Sequence, residues 1–187
     1  MKPFAVAVVL LVAMSAGASR SDYLSAKKKF QAIDKQMVKP GTRVPLTSSE
    51  LNAYVETELP AVAPAGVRDP QVELLGDNAA TGRAKIDFVK LRSAQGKPTN
   101  WFLRKILEGE REVAVTTRVR SSGGKATIDV QRVEVGGFPI EGAALDFLIN
   151  NYLIPNYPQA KIGRPFALPE RVDRIEVKPG VAYVVTR

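Results

Sequence analysis

At Pro64 the spacing of apolar residues changes from a helical period to alternation, and that switch confines the chain to its longer helices first and antiparallel strands after them. Upstream, Ser21 caps a helix over 21–36 with Asp22 in its first turn, and Tyr23, Ala26, Phe30, Ile33 and Met37 form its apolar stripe. Pro40-Gly41 ends it. The next helix is better specified: Thr47 and Glu50 make a capping box, Leu46 and Leu51 a hydrophobic staple. Leu51, Tyr54, Val55 and Leu59 form its apolar face, and Pro60 is expected to stop it.

Downstream, Gln71 to Leu75 reads as a strand and Gly76-Asp77-Asn78 as a turn, after which Ala84, Ile86 and Phe88 alternate with Lys85, Asp87 and Val89. Glu112 to Arg120 alternates again, Ser121-Ser122-Gly123-Gly124 is a loop, and Ala126 to Val135 follows with a phase break at Gln131-Arg132 that predicts a β-bulge. Asn100 to Glu108 reads as a short helix. Gly142 to Leu153 is a helix apolar over most of its circumference, which requires near enclosure by protein or ligand. Arg174 to Val177 and Val181 to Val185 flank a Lys178-Pro179-Gly180 turn as a closing hairpin. The predicted class is α+β, a strongly curved antiparallel sheet wrapped around long apolar helices.

The N-terminus adds a separate expectation. Lys2, the apolar run Phe4 to Met14 and Ala16-Gly17-Ala18 have the order of a secretory signal peptide cut after Ala18. The apolar stretch ends well short of the roughly 20 residues a membrane span needs. The organisation expected is therefore a signal peptide over 1–18, an N-terminal helix and linker over 19–45, and a single α+β domain over 46–187. No Cys follows the apolar run to carry a lipid, so the mature chain is expected to be released into a periplasm or cell envelope. Its formal charge of +8 falls by one when Lys2 leaves, and outside the cytoplasm that excess favours peripheral contact with an anionic membrane surface over nucleic acid.

The inventory of side chains narrows the chemistry. With no His and no Cys, histidine triads, thiol nucleophiles and the common zinc sites are excluded. Glu108, Glu110 and Glu112 cluster beside Arg111, but a carboxylic acid catalyst needs apolar surroundings, and solvated charges are the simpler reading. Ser25 and Lys28 match Ser-x-x-Lys without either companion motif of that enzyme class. Gly76-Asp77-Asn78 lacks the oxygen spacing of a calcium loop, and Gly123-Gly124 and Gly136-Gly137 lack the setting of a phosphate loop. Neither a catalytic residue nor a metal or cofactor is expected.

What remains is apolar surface on helices beside a sheet, which forms either an ordinary core or a groove for acyl chains. Trp101 and Phe102 beside Arg104 and Lys105 would suit the lip of such a groove at a membrane interface. The segment Leu46-Thr47-Ser48-Ser49-Glu50-Leu51-Asn52-Ala53-Tyr54, the strands after it, Gly136-Gly137-Phe138-Pro139-Ile140 before an apolar helix, and Pro165 to Val172 before a hairpin together resemble exported bacterial members of the tubular lipid-binding (TULIP-like) superfamily. The resemblance implies a half-barrel with an apolar groove and no catalytic residues. Tyr54, Val55, Phe88, Trp101, Ile106, Phe147, Leu148 and Tyr152 are the expected ligand-binding residues, with Arg104 and Lys105 at a head group. The function expected is non-catalytic binding of a lipid or other hydrophobic molecule. The alternative is a structural or protein-interaction module with a solid core and a basic docking surface.

Overall fold

A computed structural model of the chain describes residues 20–63, 65–94, 109–153 and 163–187. Helix α1 (20–34) is followed by strand β1 (Arg43–Thr47), helix α2 (Ser48–Val62), strands β2 (Val67–Gly76) and β3 (Ala79–Asp87), and helix α3 (Phe88–Ala94). Strands β4 (Glu110–Ser122), β5 (Lys125–Val135) and β6 (Phe138–Pro139) precede helix α4 (Gly142–Leu148), which runs into a π-helical turn (Ile149–Leu153). Strands β7 (Phe166–Ala167), β8 (Val172–Lys178) and β9 (Val181–Thr186) complete the order.

The strands form two antiparallel sheets. One has the order β1-β9-β8; the other runs β2-β3-β4-β5-β6, with β7 also on β5. Antiparallel strand dominates the described residues, no described helix is long and neither sheet curls, which overturns the expected sheet wrapped around long helices. The physical reason lies in the outer face of the larger sheet. Arg83, Lys85, Glu112, Arg118, Arg132 and Glu134 stand there in register, the opposite face carries the larger apolar side chains, and the strands divide into two sheets whose separate clusters share out the short helices.

Strand β1 is absent from the sequence-based expectation. Its burial alternates, with Val44 and Leu46 inside, and Pro45 is tolerated because β1 is an edge strand with a missing ladder donor. The free edge of β8 is satisfied by the end of the larger sheet. The Gly124 amide donates to Asp173 O at 2.8 Å, Ser121 Oγ accepts from Ile175 N at 2.8 Å, and Asn78 Oδ1 accepts from Val177 N at 2.9 Å. Asn78 reaches this position from a two-residue turn in which Asp77 and Asn78 have φ of 50° and 59°, the left-handed pair that joins hairpin strands without splaying them.

The main core fills this junction: Ala26 and Ile33 of α1, Val44 and Leu46 of β1, Ala126, Leu168, Val172 and Val184 are all buried. Phe30 and Tyr54 meet over it with ring centroids 4.7 Å apart. The capping box forms as expected, with Thr47 N–H donating to Glu50 Oε2 at 2.9 Å and Glu50 N–H to Thr47 Oγ1 at 3.2 Å. Pro60 does not stop α2. It lies in the last turn, where its missing donor frees only the carbonyl of exposed Glu56.

The outer edge of β2 is closed by side chain and turn. Asn52 Nδ2 donates to Val72 O at 2.8 Å while Asn52 Oδ1 accepts from Val72 N at 2.7 Å, Gly180 N–H donates to Leu74 O at 3.1 Å, and Pro70 has no donor to offer. Asn52→Ala should therefore cost about 1–2 kcal/mol in urea denaturation and expose a strand edge. Concentration-dependent light scattering of the variant, absent in the parent, is the second expected readout.

Candidate functional site

Beyond the main core the larger sheet continues past the smaller one, and there its inner face is less completely covered. Phe88 and Leu91 of α3 are buried against Val67, Ile86, Val113, Val135, Phe147 and Leu148. The alternation places Phe88 within a strand. Instead Asp87 Oδ1 accepts the Lys90 amide at 2.9 Å, starting α3 one residue after β3 and turning the Phe88 ring inward. Asp87 is the cap signal that the alternation through Phe88 hides.

Helix α4 is not enclosed by the described protein: none of its residues is buried. Leu145, Phe147, Leu148 and Ile149 are half-buried, and Ala144 is exposed. Across from α4 the inner-face residues Val115, Val130 and Val133 are likewise only half-buried. Between α4 and this edge of the sheet lies an open pocket of about 150 Å³, with Val130, Val133, Pro139, Ile140 and Leu145 on its apolar wall and Gln131, Arg132 and Glu141 at its polar side. The bulge shapes its wall. Thr116 pairs with Arg132 and Thr117 with Val130, so Gln131 is the extra residue, and Val133 returns to the inner face beside Val130.

The expected ligand residues are therefore divided. Phe88, Phe147 and Leu148 come together beside α4, whereas Tyr54 belongs to the junction core and Val55 is half-buried elsewhere on α2. Trp101, Arg104, Lys105 and Ile106 lie outside the described residues, as do Glu108, the segment 1–18 and the side chain of Tyr152. The pocket residues Val130, Val133, Ile140 and Leu145 are not among the site residues expected from the sequence. The phase break that re-aims the first two is the available signal.

The polar groups are committed to one another. Ser25 Oγ donates to Glu50 Oε1, and Lys29 Nζ donates to Glu50 Oε2 at 2.7 Å, so Ser25 faces a carboxylate and Lys28 points to solvent. That arrangement removes the Ser-x-x-Lys pair. Glu110 pairs with Arg68, and Glu112 lies 3.8 Å from Arg83. Burial first, then the nearby Glu58 carboxylate, pushes the Tyr54 hydroxyl above its ordinary pKa.

A larger cleft of about 680 Å³ runs along β2, lined by Asn52, Glu56, Asp69, Arg83 and Lys85 among others. Most of its charges are paired: Lys85 lies 2.9 Å from Asp69, a contact that raises the lysine and lowers the carboxylate, and Arg83 lies 3.3 Å from Glu73. Such a wall favours water over an acyl chain. Among the described residues no cluster of His, Cys, Asp or Glu is arranged to hold a metal ion, and no helix is long and apolar enough to cross a membrane. In comparisons with known proteins, no family model and no curated protein sequence matches this chain.

Proposed function

We propose that the protein is a non-catalytic binding module of the cell envelope that takes an apolar ligand, or the end of an acyl chain, between α4 and the inner face of the larger sheet. The observation that carries this reading is a pocket with one apolar wall beside a helix with no buried residue. Apolar surface on both sides of a cleft is exposed at a free-energy cost that a ligand removes, at about 25 cal/mol per Å². A cavity of about 150 Å³ accepts a guest of roughly benzene's size. The ligand class is accordingly a single apolar chain end or ring and not a whole two-tailed lipid. The non-catalytic part of the reading rests on the missing His and Cys and on the engagement of Ser25 by Glu50.

Native mass spectrometry of the chain isolated from its own envelope, followed by organic extraction, should reveal a copurified apolar molecule. Ile140→Gln and Leu145→Gln should each weaken binding of a hydrophobic fluorescent probe about tenfold or more while costing stability no more than about 1 kcal/mol, because both side chains line the pocket and are only half-buried. A clean apo mass together with a loss of several kcal/mol in these variants would mark the region as plain core. It would then favour the interaction module, a reading that the solid junction core around Leu46 also fits.

A further inference from the structure

Five cations gather at the end of the molecule opposite the apolar pocket. The loop after α1 is tied to the end of β9: Thr186 Oγ1 donates to Lys39 O at 2.7 Å, and Gly41 N–H donates to Thr186 O at 2.9 Å. One residue on, Arg187 N–H donates to Arg171 O at 3.0 Å, and its Nε donates to Glu170 O at 2.6 Å. Its guanidinium rests against Gly124, where a φ of +75° and the arginine itself leave no place for a side chain. Leu168 N–H donates to Gly124 O at 2.9 Å, and Lys125 follows directly. These bonds bring Lys39, Arg171, Arg187 and Lys125 to one end, and Lys35, exposed just past the end of α1, lies four residues before Lys39.

None of the five makes an ion pair among the described residues. Asp34 and Glu170, the acidic residues that flank the patch in sequence, offset only part of the charge. Met37, 75 % exposed, stands two residues from Lys39. A polyanion in solution would use the cations and leave this methionine in water. A bilayer uses both, with lipid phosphates on the ammonium groups and an apolar side chain at the acyl boundary.

We infer that this end is a docking surface for an anionic phospholipid bilayer, with Met37 at the acyl boundary and Lys35, Lys39 and Lys125 on lipid phosphates. It does not depend on occupancy of the apolar pocket at the other end of β5. The test is cosedimentation of the chain, isolated from its own envelope, with vesicles of phosphatidylcholine alone or mixed with phosphatidylglycerol at about three to one. Binding is expected on the anionic vesicles, reversed by raising salt to about 0.5 M. Lys35→Glu, Lys39→Glu and Lys125→Glu, all at exposed positions, should each lower affinity about fivefold or more, and Met37→Ser severalfold. Lys178→Glu makes the same change in net charge at the far end of β8 and should bind as the parent does. Equal binding to both kinds of vesicle, an equal loss in the Lys178 variant, or full binding by Met37→Ser with competition by a soluble polyanion would each overturn the inference.

Discussion

Replacing Leu46 by Ala is expected to lower the unfolding free energy by about 4 kcal/mol, near the upper part of the range for buried leucines. Leu46 is the largest fully buried side chain among the described residues, at 2 % exposure, and it belongs to three structures at once. It pairs with Ala182 in the β1–β9 ladder, precedes the α2 cap, and contributes to the cluster containing Ala26, Ile33, Val44 and Val184. Collapse of the cavity is hindered for two reasons. The strand backbone is fixed by its ladder, and the buried neighbours Ala26 and Ala126 have no reach with which to fill the space. For a chain of this length the loss corresponds to a fall in Tm of about 8–16 °C. Leu24→Ala, at a position 55 % exposed on α1, should change stability by no more than about 0.5 kcal/mol. A Leu46→Ala loss below about 1.5 kcal/mol would mean that β1 is not held against β9 as described.

The same residue shows why part of the fold was legible and part was not. The capping box of Thr47 and Glu50 is read directly because its two hydrogen bonds close within one turn. The Asp77-Asn78 turn and the bulge at Gln131 are legible for the same reason, as both leave a mark within a few residues. Strand β1 leaves almost none: Val44 and Leu46 flank a proline, and what makes them a strand is β9 near the other end of the chain. The division into two sheets is equally remote from local pattern. It depends on Gly124, Ser121 and Asn78 meeting the backbone of β8, while period alone says only that each segment is a half-buried strand.

The candidate site was legible in its composition more than in its assembly. Phe88, Phe147 and Leu148 do meet, yet Tyr54 closes a different core, where it packs on Phe30. Helix α4 carries apolar residues around most of its circumference, a pattern that points to enclosure. Apolarity states what a side chain gains from burial; it does not supply the partner, and here the opposing valines are half-covered too. The cationic end is illegible for the converse reason. Lys39, Lys125, Arg171 and Arg187 are scattered in sequence, and only the bonds around Thr186 and Gly124 collect them.

Glu50→Gln should change how stability depends on pH as well as its magnitude. The Glu50 carboxylate is buried and receives the Lys29 ammonium, the Ser25 hydroxyl and the Thr47 amide, clasping α1 to the start of α2. Burial alone pushes its pKa up, but Lys29, then Ser25, then Thr47 outweigh that and hold it below the ordinary carboxylate value. A carboxyl whose folded pKa lies below its unfolded one contributes stability that is fully present above the unfolded value, about 4.3, and is lost as pH falls through the folded value. Glu58, held down by the Tyr23 hydroxyl and then by Lys27, shifts in the same direction, but its exposed position lets solvent screen the pair. The parent chain should therefore lose stability below about pH 4.3 more steeply than the glutamine variant. At pH 7 the variant should be weaker by about 2 kcal/mol, since an amide still accepts from Ser25 or Thr47 but leaves Lys29 without its counter-charge. That gap should close in acid, because the protonated Glu50 carboxyl and the amide that replaces it are then nearly equivalent. Urea denaturation across the acid range reads both effects, and curves that stay parallel into strong acid would place the origin of any acid lability outside the clasp.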